Sequence, residues 1–394
     1  MKLNRITILI ACLIAAMPVS AQDQVRRILD EIEANNPALA AARHSAEAER
    51  AGALSEAALE DPEVEFNYLW GQDSEVGNRK DFSITQSIDM ASLSGLRVRH
   101  ANALADLSSL SYQDARREVL LEADRLLVEL VYLDKLRKEY DMHHNHAQLL
   151  VKSTERKSEL GEASLLDVKK ARLHLASVQG EIKSIEVQEN AVNAQLIMLN
   201  GGKLLNFAPD SYAAYEIPED FDAWYASVSE NIPALKYAEK SLDVEKMQLG
   251  IDKSSWLPKL TVGYMSELGL TDRYRGLTMG VSIPLWKNSR KIQQSNARVA
   301  AGENLLKAET NRFYFGFRQK YEQALGLKAV ADEYRIALNE SDMREYLMTA
   351  QSSGEISMID YLVETDMYYD SLKDYLGAER DYMLSLAELN SILL

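Results

Sequence analysis

The sequence is poor in the residues on which most site chemistry rests. A single cysteine, Cys12, stands among 394 residues, which leaves no intrachain disulfide and no multi-thiolate metal site. No apolar run reaches the roughly 20 residues that a membrane-spanning helix needs. Charged residues make up 26% of the chain and the mean hydropathy is −0.26, so a polytopic helical membrane protein is excluded. There is no Lys/Arg block: 44 basic residues face 60 acidic ones, a net charge of −16. Nucleic-acid binding, which relies on clustered positive charge, is therefore not expected. Nucleophile elbows, phosphate loops and H-E-x-x-H are absent from the sequence, so no catalytic, cofactor-binding or metal site is assigned and the chain is not read as an enzyme. Helix breakers are also scarce, with 18 glycines and 8 prolines.

What is present begins with an export signal. Lys2 and Arg5 precede an apolar run from Ile6 to Met17, followed by Pro18-Val19-Ser20-Ala21. A basic start, a short apolar stretch and a small-x-small site describe a secretory signal peptide over residues 1–21, cleaved after Ala21. Cleavage leaves 42 basic against 60 acidic residues, a mature charge of −18, and removes Cys12. Leu9-Ile10-Ala11-Cys12 is also compatible with a lipobox, in which case Cys12 becomes a lipidated first residue. Both routes take the protein out of the cytoplasm.

The remainder reads as two copies of one unit. Pro37-Ala38-Leu39 returns as Pro233-Ala234-Leu235 after 196 residues. Pro62–Tyr68 returns as Pro258–Tyr264 at the same displacement of 196. Gly161-Glu162-Ala163-Ser164-Leu165-Leu166-Asp167 returns as Gly354-Glu355-Ile356-Ser357-Met358-Ile359-Asp360 after 193. Several matches in order, at nearly constant displacement, indicate a first repeat over 22–200 and a second over 223–394. The linker, 201–222, carries Gly201-Gly202, Pro209 and Pro218, a helix stop and an extended connector.

Within each unit the apolar period switches from helix to strand and back. Residues 37–60 read as a helix. Strands are expected at about 62–70, 81–90, 258–268 and 277–286. One face of these strands carries Val64, Phe66, Tyr68 and Trp70, then Phe82, Ile84 and Ile88. It continues with Leu260, Val262 and Tyr264, then Leu277, Met279, Val281 and Ile283. The opposite face carries Glu63, Glu65, Asn67, Asp89 and Lys259. Runs of about ten residues fit tilted strands crossing a bilayer. Trp70, Trp256, Tyr264 and Trp286 lie toward strand ends, where an aromatic belt sits.

Long helices follow. Residues 97–159 contain neither proline nor glycine, enough for about 95 Å of helix at 1.5 Å per residue. Residues 290–353 are the proline-free counterpart. Leu126, Leu130, Leu133 and Tyr140 form a narrow apolar seam, with Glu122, Arg125, Glu129, Lys135 and Glu139 on the charged surface. Gly161 and Gly354 end these helices, and Ser164 and Ser357 cap return helices over 164–199 and 357–392.

An open four-stranded sheet cannot sit in lipid, because its edge N–H and C=O groups would be unsatisfied. Several chains must then close one barrel. Two chains supply 8 strands and three supply 12; the polar inner face favours the wider, watered option and hence a homotrimer.

The order of these parts resembles the TolC family of outer-membrane efflux proteins over the whole of 22–394. The resemblance rests on Asn36-Pro37-Ala38-Leu39, the Pro62 and Pro258 strand starts and the two Gly-x-x-Ser-x-x-Asp tips. It implies a mainly α fold with a small β part: a trimeric 12-stranded outer-membrane barrel continued by a periplasmic α-helical barrel. It implies location in a Gram-negative outer membrane and an exit duct for a tripartite efflux or type I secretion system. The partners implied are a periplasmic adaptor (membrane fusion protein), an inner-membrane RND-type or ABC pump, and outer-membrane lipid. By the same resemblance the tips dock the adaptor through Gly161, Ser164, Leu165, Leu166, Gly354, Ile356, Ser357, Met358 and Ile359, their apolar members being exposed anchors. Asp360, Asp167 and Glu364 would ring the periplasmic aperture and attract cations. Val363 stands where some relatives carry a second acidic residue, and Ile356 where an arginine clasp occurs, so closure must be held differently. A turn cap alone also explains the tip Gly and Ser.

Two other readings stand beside this one. A periplasmic long-helix adaptor or scaffold shares the signal and the helices, but not four amphipathic bilayer-length strands embedded between helices. His143, His144 and His146 hint at a metal-binding chaperone, since His143 and His146 share a helix face; a solvated helix wall is the simpler account of them. The exported substrate is not encoded in any motif of the chain.

Overall fold

The computed structural model describes residues 21–72, 77–206, 211–269, 271–284, 289–340 and 343–394. The expected signal peptide with Cys12, the linker's Pro209 and the belt residue Trp286 lie outside them. In chain order the elements are α1 Ala21–Asn35, α2 Pro37–Glu56, β1 Glu63–Leu69, β2 Arg79–Ile88, α3 Met90–Leu93, α4 Leu96–Glu159, α5 Leu165–Leu199 and α6 Phe221–Val228. Next come α7 Pro233–Ser254, β3 Lys259–Leu268, β4 Arg273–Ser282, α8 Ser289–Glu340, α9 Arg344–Ser353 and α10 Met358–Asn390. The chain is thus mostly helical with one small sheet.

The chain forms two compact units, and each draws on both halves of the sequence. One comprises residues up to Leu39, Arg116–Tyr225 and Phe315–Leu394; the other comprises Ala40–Ala115 and Ala226–Tyr314.

In the first unit the core is a helical seam. Leu126, Leu130, Leu133 and Tyr140 of α4 are all buried, as their spacing predicts. On α5 the buried Val178, Ile185 and Val192 recur every seven residues, a coiled-coil spacing. The charged stripe of α4 is less solvated than expected. Arg125 pairs with Glu388 at 2.8 Å, Lys135 with Glu379 at 2.7 Å and Glu139 with Arg344 at 3.0 Å. The Asn36-Pro37-Ala38-Leu39 opening of the first unit also has a physical basis here. Asn36 Oδ1 accepts from Leu39 N at 3.0 Å while Asn36 Nδ2 donates to Leu199 O at 2.9 Å. It therefore caps α2, with Pro37 at the first helical position, and ties that cap to the end of α5. Gly201 next to it has φ +65°, and a Cβ there would lie 2.5 Å from Asn35 O, so only glycine fits.

Three expectations about element boundaries need correcting. The long helix expected over 290–353 is two helices, α8 ending at Glu340 and α9 beginning at Arg344. Residues 341–342 lie outside the described ones, and Met343 before α9 makes no side-chain cap. The fourth strand begins at Arg273, four residues before its expected start, and ends at Ser282. Ile283 therefore lies beyond the ladder. The second strand stops at Ile88, because Asp89 turns to cap α3, accepting from Ser92 N at 2.7 Å, and also accepts from Arg97 Nε at 2.9 Å. Asp89 is thus a cap and not a strand-face residue.

In the second unit β1 to β4 form a four-stranded antiparallel sheet in the order β1-β2-β3-β4. β2 and β3, some 170 residues apart in sequence, pair directly. Helix α7 packs by Leu235, Ala238 and Leu242. Buried Asp252 accepts from Gln248 at 2.9 Å and from Ser295, and pairs with Lys291 at 2.9 Å, so its charge is fully engaged.

Candidate functional site

The sheet is the first candidate. Its register carries one row straight across all four strands: Val64 opposite Ile84, Ile84 opposite Tyr264, Tyr264 opposite Leu277. Further rows join Val262 to Met279, and Ile88 to Leu260 to Val281. Strands that share a face in sequence thus share it in space. The face is exposed: Phe66 is 64% accessible, Leu277 84% and Met279 83%. Phe82, Leu260, Val281 and Ile283 are exposed as well, whereas Tyr68 and Ile88 are half-buried. Tyr264 sits in mid-strand instead of at an end, while Trp70 is exposed at the hairpin end. The reverse face is polar. Glu63 opposes Thr85, Glu65 opposes Ser83 and Asn67 opposes Asp81; Ser87 and Thr261 hydroxyls lie 3.1 Å apart.

The two hairpin tips are the second candidate, and they share one geometry. Ser164 Oγ accepts from Asp167 N at 3.1 Å, and Asp167 Oδ2 accepts from Ser164 Oγ at 2.6 Å and Ser164 N at 3.1 Å. Ser357 and Asp360 repeat these contacts at 3.2, 2.6 and 3.3 Å. Each is a reciprocal capping box. Hydrogen bonds from Ser164 hold the Asp167 carboxyl below its usual range. Gly161 and Gly354 adopt φ +78° and +80°, the left-handed helix stop. Leu165, Leu166 and Ile359 are exposed at 67%, 60% and 55%. Ile356 and Met358, expected among the exposed anchors, instead turn inward against Leu150, Leu347 and Tyr361. Asp360 is exposed, whereas Glu364 one turn on is half-buried.

The histidine cluster divides. His143 is buried, stacked on Tyr369 with ring centroids 3.7 Å apart, and its Nε2 lies 3.2 Å from that of His174. Burial, reinforced by the neighbouring His174, pushes the His143 imidazole down to about 3. Burial lowers His174 as well, although Asp366 at 3.8 Å opposes it. His144 instead meets Gln148 and Gln179 at 3.3 and 3.2 Å. Among the described residues no three His, Cys, Asp or Glu converge as a metal site.

One feature was not predicted from sequence. The connector after Gly202 is anchored by tyrosines: Tyr215 Oη donates to Asp124 Oδ2 at 2.6 Å, and Lys135 Nζ sits 4.2 Å over the Tyr212 ring. Asp124 is 2% exposed beside a cavity of about 380 Å³ lined by Val25, Leu29 and Arg116. Burial pushes its carboxyl up to about 6, against the opposing Tyr215 hydrogen bond. Two tyrosines in a Pro-punctuated connector were the available signal.

The sequence of residues 28–202 matches the model of the outer membrane efflux protein family. That segment is similar to outer membrane efflux proteins. The resemblance to the TolC family read from the repeats therefore stands, and it is to a family of efflux proteins, not of enzymes. No curated protein matches the sequence. The fold is similar to that of a membrane protein from Pseudomonas aeruginosa, with TM-score 0.80 and 13% identity over 94% of this chain and 92% of that one. It is also similar to the outer membrane protein VceC from Vibrio cholerae, with TM-score 0.74 and 14% identity over 95% and 98%. The Campylobacter jejuni CmeC outer membrane channel gives 0.73 and 14% over 96% and 88%. At such identities the likeness shows a shared fold.

Proposed function

We propose that this protein is the outer-membrane exit duct of a tripartite efflux or type I secretion system, conducting substrates passively. The observation that carries the reading is the sheet: its apolar face is continuous across four strands and exposed, and its reverse face is acidic and polar. In lipid such a sheet cannot end at β1 and β4, whose outer edges would leave backbone groups unpaired. Other copies of the chain close it, and three copies make a 12-stranded barrel wide enough to water Glu63 and Glu65. The helices then form the periplasmic tube, with the signal peptide removed after Ala21.

In this reading Leu165, Leu166 and Ile359 are the anchors that a periplasmic adaptor covers, and the adaptor links the duct to an RND-type or ABC pump. Asp360 and Asp167, exposed and half-buried at capped tips, line the entrance. Passive conduction fits a sequence without a phosphate-binding loop. The test is fractionation and unboiled electrophoresis of the mature protein from a Gram-negative host. The expected result is recovery in the outer membrane as a heat-sensitive trimer. Recovery as a soluble periplasmic monomer would overturn the proposal.

A further inference from the structure

The charges of the sheet are sorted by face and by depth. On the face carrying Val64, Ile84, Tyr264 and Leu277, three residues are cationic: Lys80, Arg273 and Arg275. The register confines them to the two rows nearest the hairpin turns. Lys80 shares a row with Tyr68 and Arg273, since Tyr68 opposes Lys80, Lys80 opposes Leu268 and Leu268 opposes Arg273. Arg275 lies one row further in, level with Phe66 and Phe82 through Ser266. Toward the helical ends of the strands, the rows of this face hold no charged residue. All three cations are exposed, and among the described residues none is within an ion pair. Aromatic rings mark the same depth: Lys80 Nζ is 5.6 Å from the Tyr68 ring centroid, and Tyr68 meets Trp70 edge-on at 5.3 Å.

The reverse face treats its cations differently. Arg79 there is held by Asp81 and Glu267, each at 2.8 Å, and Lys259 by Glu60 at 3.0 Å. The strand positions of the apolar face include no Asp or Glu at all. The same face of an identical neighbouring copy therefore has no carboxylate to offer. Within the strands of this face, Lys80, Arg273 and Arg275 therefore meet no carboxylate, and an anionic lipid surface is a counter-charge they can reach. Cations beside an apolar band are unfavourable in hydrocarbon, tolerated at its boundary, and favourable where that boundary is anionic. The planar guanidinium forks of two arginines match phosphate oxygens, with lysine as a point charge beside them. Tyr and Trp at that depth are the usual markers of the interface.

We propose that Lys80, Arg273 and Arg275, framed by Tyr68 and Trp70, dock the phosphate-bearing headgroups of the lipid leaflet at the hairpin-turn end of the sheet. This rests on the channel reading, which sets the apolar face against lipid and the turns at the outer surface. The lipid chemistry it fits is a phosphorylated glycolipid rather than a zwitterionic phospholipid, because three cations on a strand face that holds no carboxylate favour a surface of net negative charge.

The experiment reconstitutes the full mature protein into phosphatidylethanolamine vesicles with and without diphosphoryl lipid A, and measures the lipid A retained per chain after extraction. The wild type is expected to retain it, and K80Q/R273Q/R275Q to retain about ten-fold less or lower still, as three interfacial charges are lost. Equal retention by the triple variant overturns the proposal. The charge-conserving K80R/R273K/R275K should keep most of the binding, which separates lost charge from misfolding; loss of binding by this folded variant would also count against it. Dephosphorylated lipid A should not be retained by the wild type, and equal retention of it overturns the assignment to phosphate. Millimolar inorganic phosphate should leave retention unchanged; displacement by it would mark a soluble-anion site and not a lipid surface. Insertion into vesicles lacking lipid A, read by protease protection, is the separate check on the channel reading. A wild type that fails to insert sinks both, whereas insertion with equal retention by the triple variant sinks only this inference.

Discussion

Asp124 and His143 are ionisable groups buried in the helical unit, and burial moves them in opposite directions. The Asp124 carboxyl is raised to about 6, above its unfolded value near 4. Its protonated form is the one the fold prefers, so its contribution to stability is full below about pH 4 and is lost as pH rises through about 6. Asp124→Asn keeps an acceptor for the Tyr215 hydroxyl and removes the charge. We expect it to stabilise the protein by on the order of 1–2 kcal/mol at pH 7.5 and to change little at pH 4, read by thermal unfolding at both values. His143 is the reverse case. Its imidazole is depressed to about 3, so the stability its neutral form supplies is present above about 6.5 and is lost as pH falls toward 3. By pH 4.5 the loss should be on the order of 2 kcal/mol. His143→Phe preserves a ring against Tyr369 and should flatten this acid branch; an unchanged acid slope would show that another group carries it.

The helix caps and the strand faces are the units on which element-scale behaviour depends. Ser357→Ala removes the acceptor for Asp360 N and should cost about 1 kcal/mol of local stability. Hydrogen exchange would show it as faster exchange in the first turn of α10, with α5 unaffected because its own box at Ser164 remains. On the sheet, adjacent residues should respond oppositely to the same charge. Ile84→Arg puts a cation in the middle of the apolar face and should cost about 2–4 kcal/mol of stability in a bilayer. Thr85→Arg faces the polar side beside Glu63 and should cost far less. Similar losses for both, measured by denaturant unfolding from vesicles, would mean that the two faces do not see lipid and water.

The whole-molecule prediction concerns the tips. Three copies of an exposed Asp360 around one axis would favour cations through their summed field. Asp360→Asn retains a side-chain oxygen that can still accept within the cap, so it changes charge more than structure. Planar-bilayer recordings should show reduced cation selectivity at nearly unchanged expression and heat stability. Unchanged selectivity would assign Asp360 to turn chemistry alone.

Much of this was legible in the residues because it depends on local periodicity. A period of two named the strand faces, proline-free stretches named α4, and Gly-x-x-Ser-x-x-Asp named capped tips, since strands, helices and caps are decided within a few neighbours. Boundaries were less legible where a local competitor intervened: β2 ends two residues early because Asp89 caps α3. Ile356 and Met358 read as exposed because the sequence shows that they are apolar, not what lies opposite them. The sequence by itself determined the type of each element, the two-faced character of the strands and the likeness to efflux proteins. Only the tertiary structure decided that β2 pairs β3 so that Val64, Ile84, Tyr264 and Leu277 share one row, and that Tyr215 reaches buried Asp124. Register and burial join residues far apart in the chain, and such contacts leave no periodic trace in the sequence.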